Sequence, residues 1–415
     1  MLTYHFPPSA AAGAFRLLGF ARHLPTYGWE SAVVAPPGLP WEPVDPGLMQ
    51  RVPPATTLYQ APYPRGLAAA PFRRLFPYAA WLPAAYAASR SAIRHERPDA
   101  LFTSGPPHAI HLLGRHLHRR YGLPWLVDFR DPWAAGGLSA LHGRPPSRWD
   151  VRAERSVLRD ADRIIANTPR AMELLATAFP QHRVKMVSIT NGFDPDSFSV
   201  LDPAPRDPGA VSLVHPGEVY ASRDPRPLLE AIRALKPGEI PEGRPLRVRF
   251  IGRQGPGAPI LNDLIRESGL QDIVTFTGQV PYSRSLAEMV AADVLLLLDS
   301  AGRRAGVPAK LYEYLGAGRP VLALADPGGD VDWVLRESGT PYRIAPPLDA
   351  SRIHDALVSL LREASAAPAA NDGAAQSRFT RQAVTGELAR LLDECVGHGD
   401  TGLTADPESG RGTGA

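Results

Sequence analysis

The chain has 415 residues, 44% of them hydrophobic and 21% charged, so it can bury the cores of two or three globular domains and is too large to be a small disulfide-stapled module. A formal charge of +3, with basic residues spread along the whole chain, argues against a dedicated nucleic-acid binder, and no apolar run approaches the roughly 18 residues of a membrane-spanning helix. The single cysteine, Cys395, permits neither an internal disulfide nor a cysteine metal cluster.

The N-terminal MLTYHFPPSAAAG lacks a basic leader, an apolar stretch and a cleavage site in order, so a cytosolic setting is expected. Short apolar runs then alternate with longer amphipathic stretches, the pattern of βα units around a largely parallel sheet. After a clipped first strand, strands are predicted at 30–35, 100–103, 123–127, 163–166 and 185–189, separated by helices at 15–27, 107–121, 147–160 and 169–179. The segment ITNGFDPDSF, 189–198, is rich in Pro, Asp and Gly without apolar periodicity and is expected to be a boundary or hinge. Beyond it the alternation restarts, with strands at 211–214, 246–251, 274–277, 294–298 and 320–325 and helices at 225–234, 259–268, 283–291 and 310–315. A helix over 379–395 follows, and the Gly-, Thr-, Ser- and Asp-rich tail from Gly397 reads as disordered. The expected architecture is α/β, with two doubly wound Rossmann-like domains, 1–195 and 206–378, facing across a cleft.

Ligands of open α/β sheets bind at the carboxyl ends of the strands, and the loops there carry the candidate chemistry. The strongest local signal is GVPAKLYEYLGAGRPVLAL, 306–324, where Pro308 suits the first turn of a helix and Lys310 and Glu313 lie three apart on one face. The chain has only three lysines against 42 arginines, so a lysine here is a departure from its own habit. Free N–H groups at a helix start, together with Lys310, form a pyrophosphate cradle, and Glu313 can accept from the two hydroxyls of a ribose. The same spacing equally suits a surface ion pair. Near the start of the second half, Gly217 permits close backbone approach to a ligand and Arg223 can clamp a phosphate bidentately, or simply mark a helix entry.

In the first half, FPPSAAAG (6–13) is a small-residue loop that lets a ligand approach Gly13, although it lacks G-x-G-x-x-G. SGPPHAIH (104–111) offers a capping Ser104 and places His108 in a first helical turn, facing the cleft or serving the structure. DFRDPW (128–133) either orients an acceptor hydroxyl or supplies a base, or else forms an internal salt-bridge cluster through Asp128, Arg130 and Asp131. No His-x-x-x-His pair exists and Asp330 and Asp332 lack a third ligand beside them, so metal dependence is not expected. Between 65 and 98, Arg73 and Arg74 interleave with Phe72, Phe76, Tyr78 and Trp81, which suits a surface touching a membrane or lipid-linked acceptor, or a lid helix packed on its own domain.

Taken in order from about Tyr4 to Leu392, FPPSAAAG, SGPPHAIHLLG, DFRDPW, NGFD, the 217–223 loop and KLYEYLGAGRPVLA resemble the family four glycosyltransferases of the GT-B fold, 310–320 being the most specific part. The resemblance implies retaining, metal-independent transfer of a sugar from a nucleotide diphosphate donor to an acceptor hydroxyl, with no further cofactor. It implies that Arg223 and Lys310 hold the diphosphate and Glu313 the ribose, with Gly217, Pro308 and Tyr314 completing the donor wall. Gly13 would line the junction of donor and acceptor, His108 would lie near the transferred sugar, and the helix 379–395 would cross back to brace the first domain. The implied acceptor is a polysaccharide or lipid-linked hydroxyl, met at the inner face of the membrane, in polysaccharide or glycoconjugate assembly. One departure stands out: many members carry Glu eight residues before the counterpart of Glu313, where this chain has Ala305, so the loop GRRAGVP would meet the sugar through backbone groups or through Arg303 and Arg304. A nucleotide-sugar epimerase or hydrolase, and a non-catalytic sugar-nucleotide binder, stay open on the residues alone.

Overall fold

A run such as VLLLL, 294–298, has no polar face to turn toward water, and it forms an interior strand of a parallel sheet. In the computed structural model, which describes residues 1–38, 44–64, 78–135, 146–202, 204, 206–241, 243–255, 260–365 and 373–397, the strands form two sheets. The first contains β1 (Leu2–Thr3), β2 (Ala32–Ala35), β3 (Thr57–Gln60), β4 (Leu101–Gly105), β5 (Trp125–Phe129), β6 (Arg163–Ala166) and β7 (Met186–Ser188), in the order β3-β2-β1-β4-β5-β6-β7. The second contains β8 (Val211–Pro216), β9 (Leu246–Ile251), β10 (Val274–Phe276), β11 (Val294–Leu298), β12 (Val321–Leu324) and β13 (Tyr342–Ala345), in the order β10-β9-β8-β11-β12-β13. All these pairings are parallel. Strand order reverses beside β1 in one sheet and beside β8 in the other, and a crevice opens at each reversal. Gly217 lies in the loop leaving β8, and Gly13 lies in the first turn of the helix Ala12–His23 that follows β1.

Local chemistry sets several of the helix limits. Pro25 ends the first helix at Ala12–His23 and turns 24–27 into a tighter 3-10 segment. Ser147 and Asp150 close a capping box on Arg148–Asp160. Ser104, expected to cap, instead lies inside β4 and donates to Asp128 Oδ2 at 2.7 Å, while the helix Ala109–Tyr121 starts after His108. Elements absent from the sequence reading include β3, β13 and the helices Asp330–Glu337 and Ala350–Ser365, whereas Leu82–Glu96 supplies the packed helix that was one of the two expectations for 65–98. Of the aromatic and basic stretch 65–98, residues 65–77 and with them Phe72, Arg73, Arg74 and Phe76 lie outside the described residues, as does the tail 398–415. Trp81 is core: it is fully buried and its indole donates to Ala61 O at 2.7 Å.

The expected hinge at 189–198 is pinned on both sides. Arg16 forms a two-pronged pair with Asp128, at 3.0 and 2.8 Å, and spends its remaining N–H groups on Thr190 O, Ile189 O and Asn191 Oδ1. Phe193 N–H donates to Phe379 O at 3.0 Å and Arg381 N–H returns to Phe193 O at 2.7 Å, so the outgoing and returning chains cross as a pair. Next to that crossing, buried Asp194 collects Arg22 at 2.6 Å, Arg51 at 3.0 Å, Arg381 at 3.3 Å and His23 at 3.5 Å. The final helix, Arg381–Val396, then packs Val384, Leu388, Leu391 and Leu392 into one apolar cluster with Leu17, Phe20 and Ala21 of the first helix.

Candidate active site

The carboxyl ends of both sheets open onto one cleft of about 1010 Å³, walled by residues from each half and from the crossover. On the second-domain side, Pro308, Lys310 and Glu313 face it from the start of the helix Lys310–Ala317. Gly217 and Arg223 face it from the loop after β8. Lys310 Nζ lies 2.9 Å from Glu313 Oε2, so the ion pair allowed by their spacing exists, but on the cleft wall rather than the outer surface. Glu313 Oε1 accepts from the Tyr282 hydroxyl at 3.0 Å, and the Tyr282 ring meets Phe15 of the first domain at 5.4 Å.

Arg223 lies over the Tyr220 ring at 4.9 Å with Nη2 3.8 Å from Asp299 Oδ1, and Arg303 reaches the same oxygen at 3.0 Å. One carboxylate thus serves two arginines, which leaves net positive charge facing the cleft. Burial pulls the Arg223 pKa down, and Asp299 works against that pull. His215, at the end of β8, hydrogen-bonds Leu296 O through Nδ1 at 2.9 Å. Burial, reinforced by Arg223 and Lys310, lowers its pKa to about 4, so it is neutral at physiological pH. Among the described residues there is no group of three or more His, Cys, Asp or Glu that could hold a metal ion.

The glycosyl transferase 4-like domain family matches residues 13–192, and the glycosyl transferases group 1 family matches residues 211–363. The chain belongs to the GT-B glycosyltransferases. It is 30% identical to a D-inositol 3-phosphate glycosyltransferase of Gordonia bronchialis over 51% of this chain and 47% of that one. A second protein of that name, from Nocardiopsis dassonvillei, is 26% identical over 67% of this chain and 66% of its own. The matches therefore span from about half to just under two thirds of those relatives. Among solved structures, the sucrose-phosphate synthase of Thermosynechococcus elongatus superposes with a TM-score of 0.69 at 16% identity, covering 96% of this chain and 98% of that one. Anabaena HepE in complex with UDP-glucose superposes with a TM-score of 0.63 at 15% identity, covering 95% and 98%. At these identities the likeness concerns the fold.

Not every residue expected at the site of this glycosyltransferase reaches the cleft. His108 is not among the lining residues; it stacks on Trp133 at 5.3 Å and 17°, while Pro106 and Arg130 line the cleft. Tyr314 is fully buried and its hydroxyl donates to Leu296 O at 2.8 Å, which makes it a brace between its helix and β11. Gly13 does line the cleft, but the room beside it is taken: a Cβ there would fall 1.2 Å from Arg130 Nη1. Of the DFRDPW residues, Asp128 is locked to Arg16 and Ser104 in the interior, whereas Arg130 and Asp131 line the cleft. Arg303 lines it too, while Arg304 is exposed and turns toward Pro327 O and Gly328 O.

Four residues in this wall or directly behind it escaped the sequence reading as site residues. Tyr282 and Asp299 position Glu313 and the two arginines, and His215 lies beneath Gly217. Gly252, at φ 156°, brings the loop after β9 against the loop after β8, where a Cβ would fall 2.0 Å from Gly217 O. The available signal was position: Asp299 and Gly252 each immediately follow a strand at its carboxyl end.

Proposed function

We propose that this glycosyltransferase moves a sugar from a nucleoside diphosphate to an acceptor hydroxyl, with retention of configuration and without a metal ion. The observation that carries the reading is the convergence of Arg223, Lys310 and Glu313 on one wall of the cleft. Arg223 and Lys310 receive the diphosphate, and Glu313 exchanges its contact with Lys310 for the ribose hydroxyls. The bond from the anomeric carbon to the terminal phosphate oxygen breaks, and negative charge collects on that phosphate. Preorganised cations in a narrow cleft stabilise that charge without having to reorganise. The acceptor oxygen bonds the anomeric carbon on the face the phosphate leaves, and its proton passes to the departing phosphate, so no separate base is required. The solved relative that binds UDP-glucose supports a nucleotide sugar as donor. The acceptor is a hydroxyl of a polysaccharide or lipid-linked glycan reached from the cytoplasmic side.

Incubating the protein with a panel of nucleotide sugars, with and without candidate acceptors and in the presence of EDTA, tests this. The expected result is donor consumption that depends on an acceptor and persists in EDTA. Turnover without any acceptor favours an epimerase or hydrolase, and binding without consumption favours a non-catalytic binder. If Glu313 reads both ribose hydroxyls, the 2′-deoxy nucleoside diphosphate binds roughly ten-fold or more weakly than its ribo counterpart, and Glu313→Ala removes that preference. Competitive calorimetry with the two nucleotides checks it.

A further inference from the structure

The carboxylate of Asp330 is 1% exposed and forms no part of the donor wall described above. Its two oxygens serve different domains. Oδ2 accepts from the Gly306 N–H at 2.7 Å, in the loop leading to Lys310, and Oδ1 accepts from the Arg170 N–H at 3.1 Å, in the first turn of Pro169–Ala178 on the opposite domain. The loop is tied to the same residue again, because the Asp330 N–H donates to Arg304 O at 2.9 Å. Arg170 supplies one of the N–H groups that a helix leaves without an internal partner; Thr168 takes that of Ala171, and Pro169 has none. A buried carboxylate filled in this way is fully satisfied only when the cleft is closed and the loop holds this conformation.

We propose that Asp330 is a positioning residue that couples closure of the cleft to the shape of the 303–308 loop. Such coupling is reciprocal: whatever orders the loop favours closure, and closure stiffens the loop. The consequence for transfer rests on reading the cleft as the donor site, but the coupling itself stands on the three hydrogen bonds of Asp330.

Hydrogen exchange on the full chain without ligand provides the test, comparing Asp330→Asn with Asp332→Asn. Asp332 lies on the same helix but accepts from Gly328 N–H and the Tyr342 hydroxyl, so it touches neither end of the link. In Asp330→Asn the amides of 168–172 and 303–308 are expected to exchange together, roughly ten-fold or more faster than in wild type, while Asp332→Asn leaves both near wild type. Either segment staying at the wild-type rate in Asp330→Asn, or an equal effect of Asp332→Asn on both, overturns the proposal. Should Asp330→Asn fail to fold, Asp330→Glu keeps the charge, displaces it by one methylene and is read in the same way. UDP and GDP then serve as probes: each nucleotide that binds slows both segments in wild type but only 303–308 in the variant. Failure of both nucleotides to bind counts against the donor reading and leaves the ligand-free comparison to decide the coupling.

Discussion

Replacing Lys310 with alanine is expected to lower turnover by about 100-fold or more while the protein stays folded. Removing one preorganised donor from a site of developing negative charge typically costs about 2.7–4 kcal/mol of transition-state stabilisation. The fold does not depend on this side chain: it is one-third exposed, and its ammonium pairs with a neighbour three residues away and lies 5.9 Å from the Tyr282 ring centroid. The variant should therefore melt within a few degrees of wild type. Lys310→Arg is a sharper probe in a chain this rich in arginine, because a planar fork cannot place its charge where a compact ammonium does. Steady-state transfer with the best donor from the panel, together with thermal melts of all three proteins, decides the matter. Near wild-type turnover in Lys310→Ala would remove the residue from the mechanism.

The largest effect on stability is expected at Asp194. Its carboxylate is 2% exposed as a side chain and faces three guanidinium groups, so Asp194→Ala leaves those charges crowded at the crossover without an opposing one. Breaking a buried pair by removing one partner costs about 3–5 kcal/mol, which corresponds to a fall of roughly 10 °C in melting temperature. Burial pushes the Asp194 carboxyl up, but the hydrogen bond with His23 and the charges of Arg381 and Arg22 outweigh it and hold the group well below the usual carboxylate range. The sign follows from that direction. A depressed folded pKa contributes stability that is complete above the unfolded value of about 3.9 and is lost as pH falls through the folded one. The gap in stability between wild type and Asp194→Ala should hold steady from about pH 5 to 8 and narrow in more acidic buffer. Urea unfolding across that range measures it, and a gap that widens on acidification contradicts the assignment.

The sequence shows the interior of the fold well and its margins poorly. Val294–Leu298 is legible residue for residue because it is apolar on both faces, Leu246–Ile251 because Leu246, Val248 and Phe250 alternate with Arg247 and Arg249, and Arg163–Ala166 because its short apolar run is bounded by polar residues. By contrast, β3 and β13 are edge strands whose residues are mostly half exposed, so Thr57–Gln60 and Tyr342–Ala345 present no continuous apolar run. At the site, residue type and position were readable but direction was not. Glu313 and Tyr314 are neighbours in sequence, yet one step along a helix turns a side chain by about 100°, sending one toward the cleft and the other into the core. His108 occupies the right loop, but Trp133, which draws it aside, lies 25 positions further on. The role of Asp194 was hidden for a similar reason: Pro, Asp and Gly around it spell a loose linker, and only the distant partners Arg22, Arg51 and Arg381 turn that linker into a clasp.

The last helix also bears on how the molecule is made. Leu17 and Phe20 emerge from the ribosome long before Leu388 and Leu392, which complete their apolar cluster, and the entire second sheet is synthesised in between. The first domain therefore waits with an open seam through most of translation, and its apolar lining is available to chaperones, or to other nascent chains, until the final turns arrive. Splitting the coding sequence at the crossover should thus yield an N-terminal piece that aggregates alone and becomes soluble when the remaining piece is produced beside it.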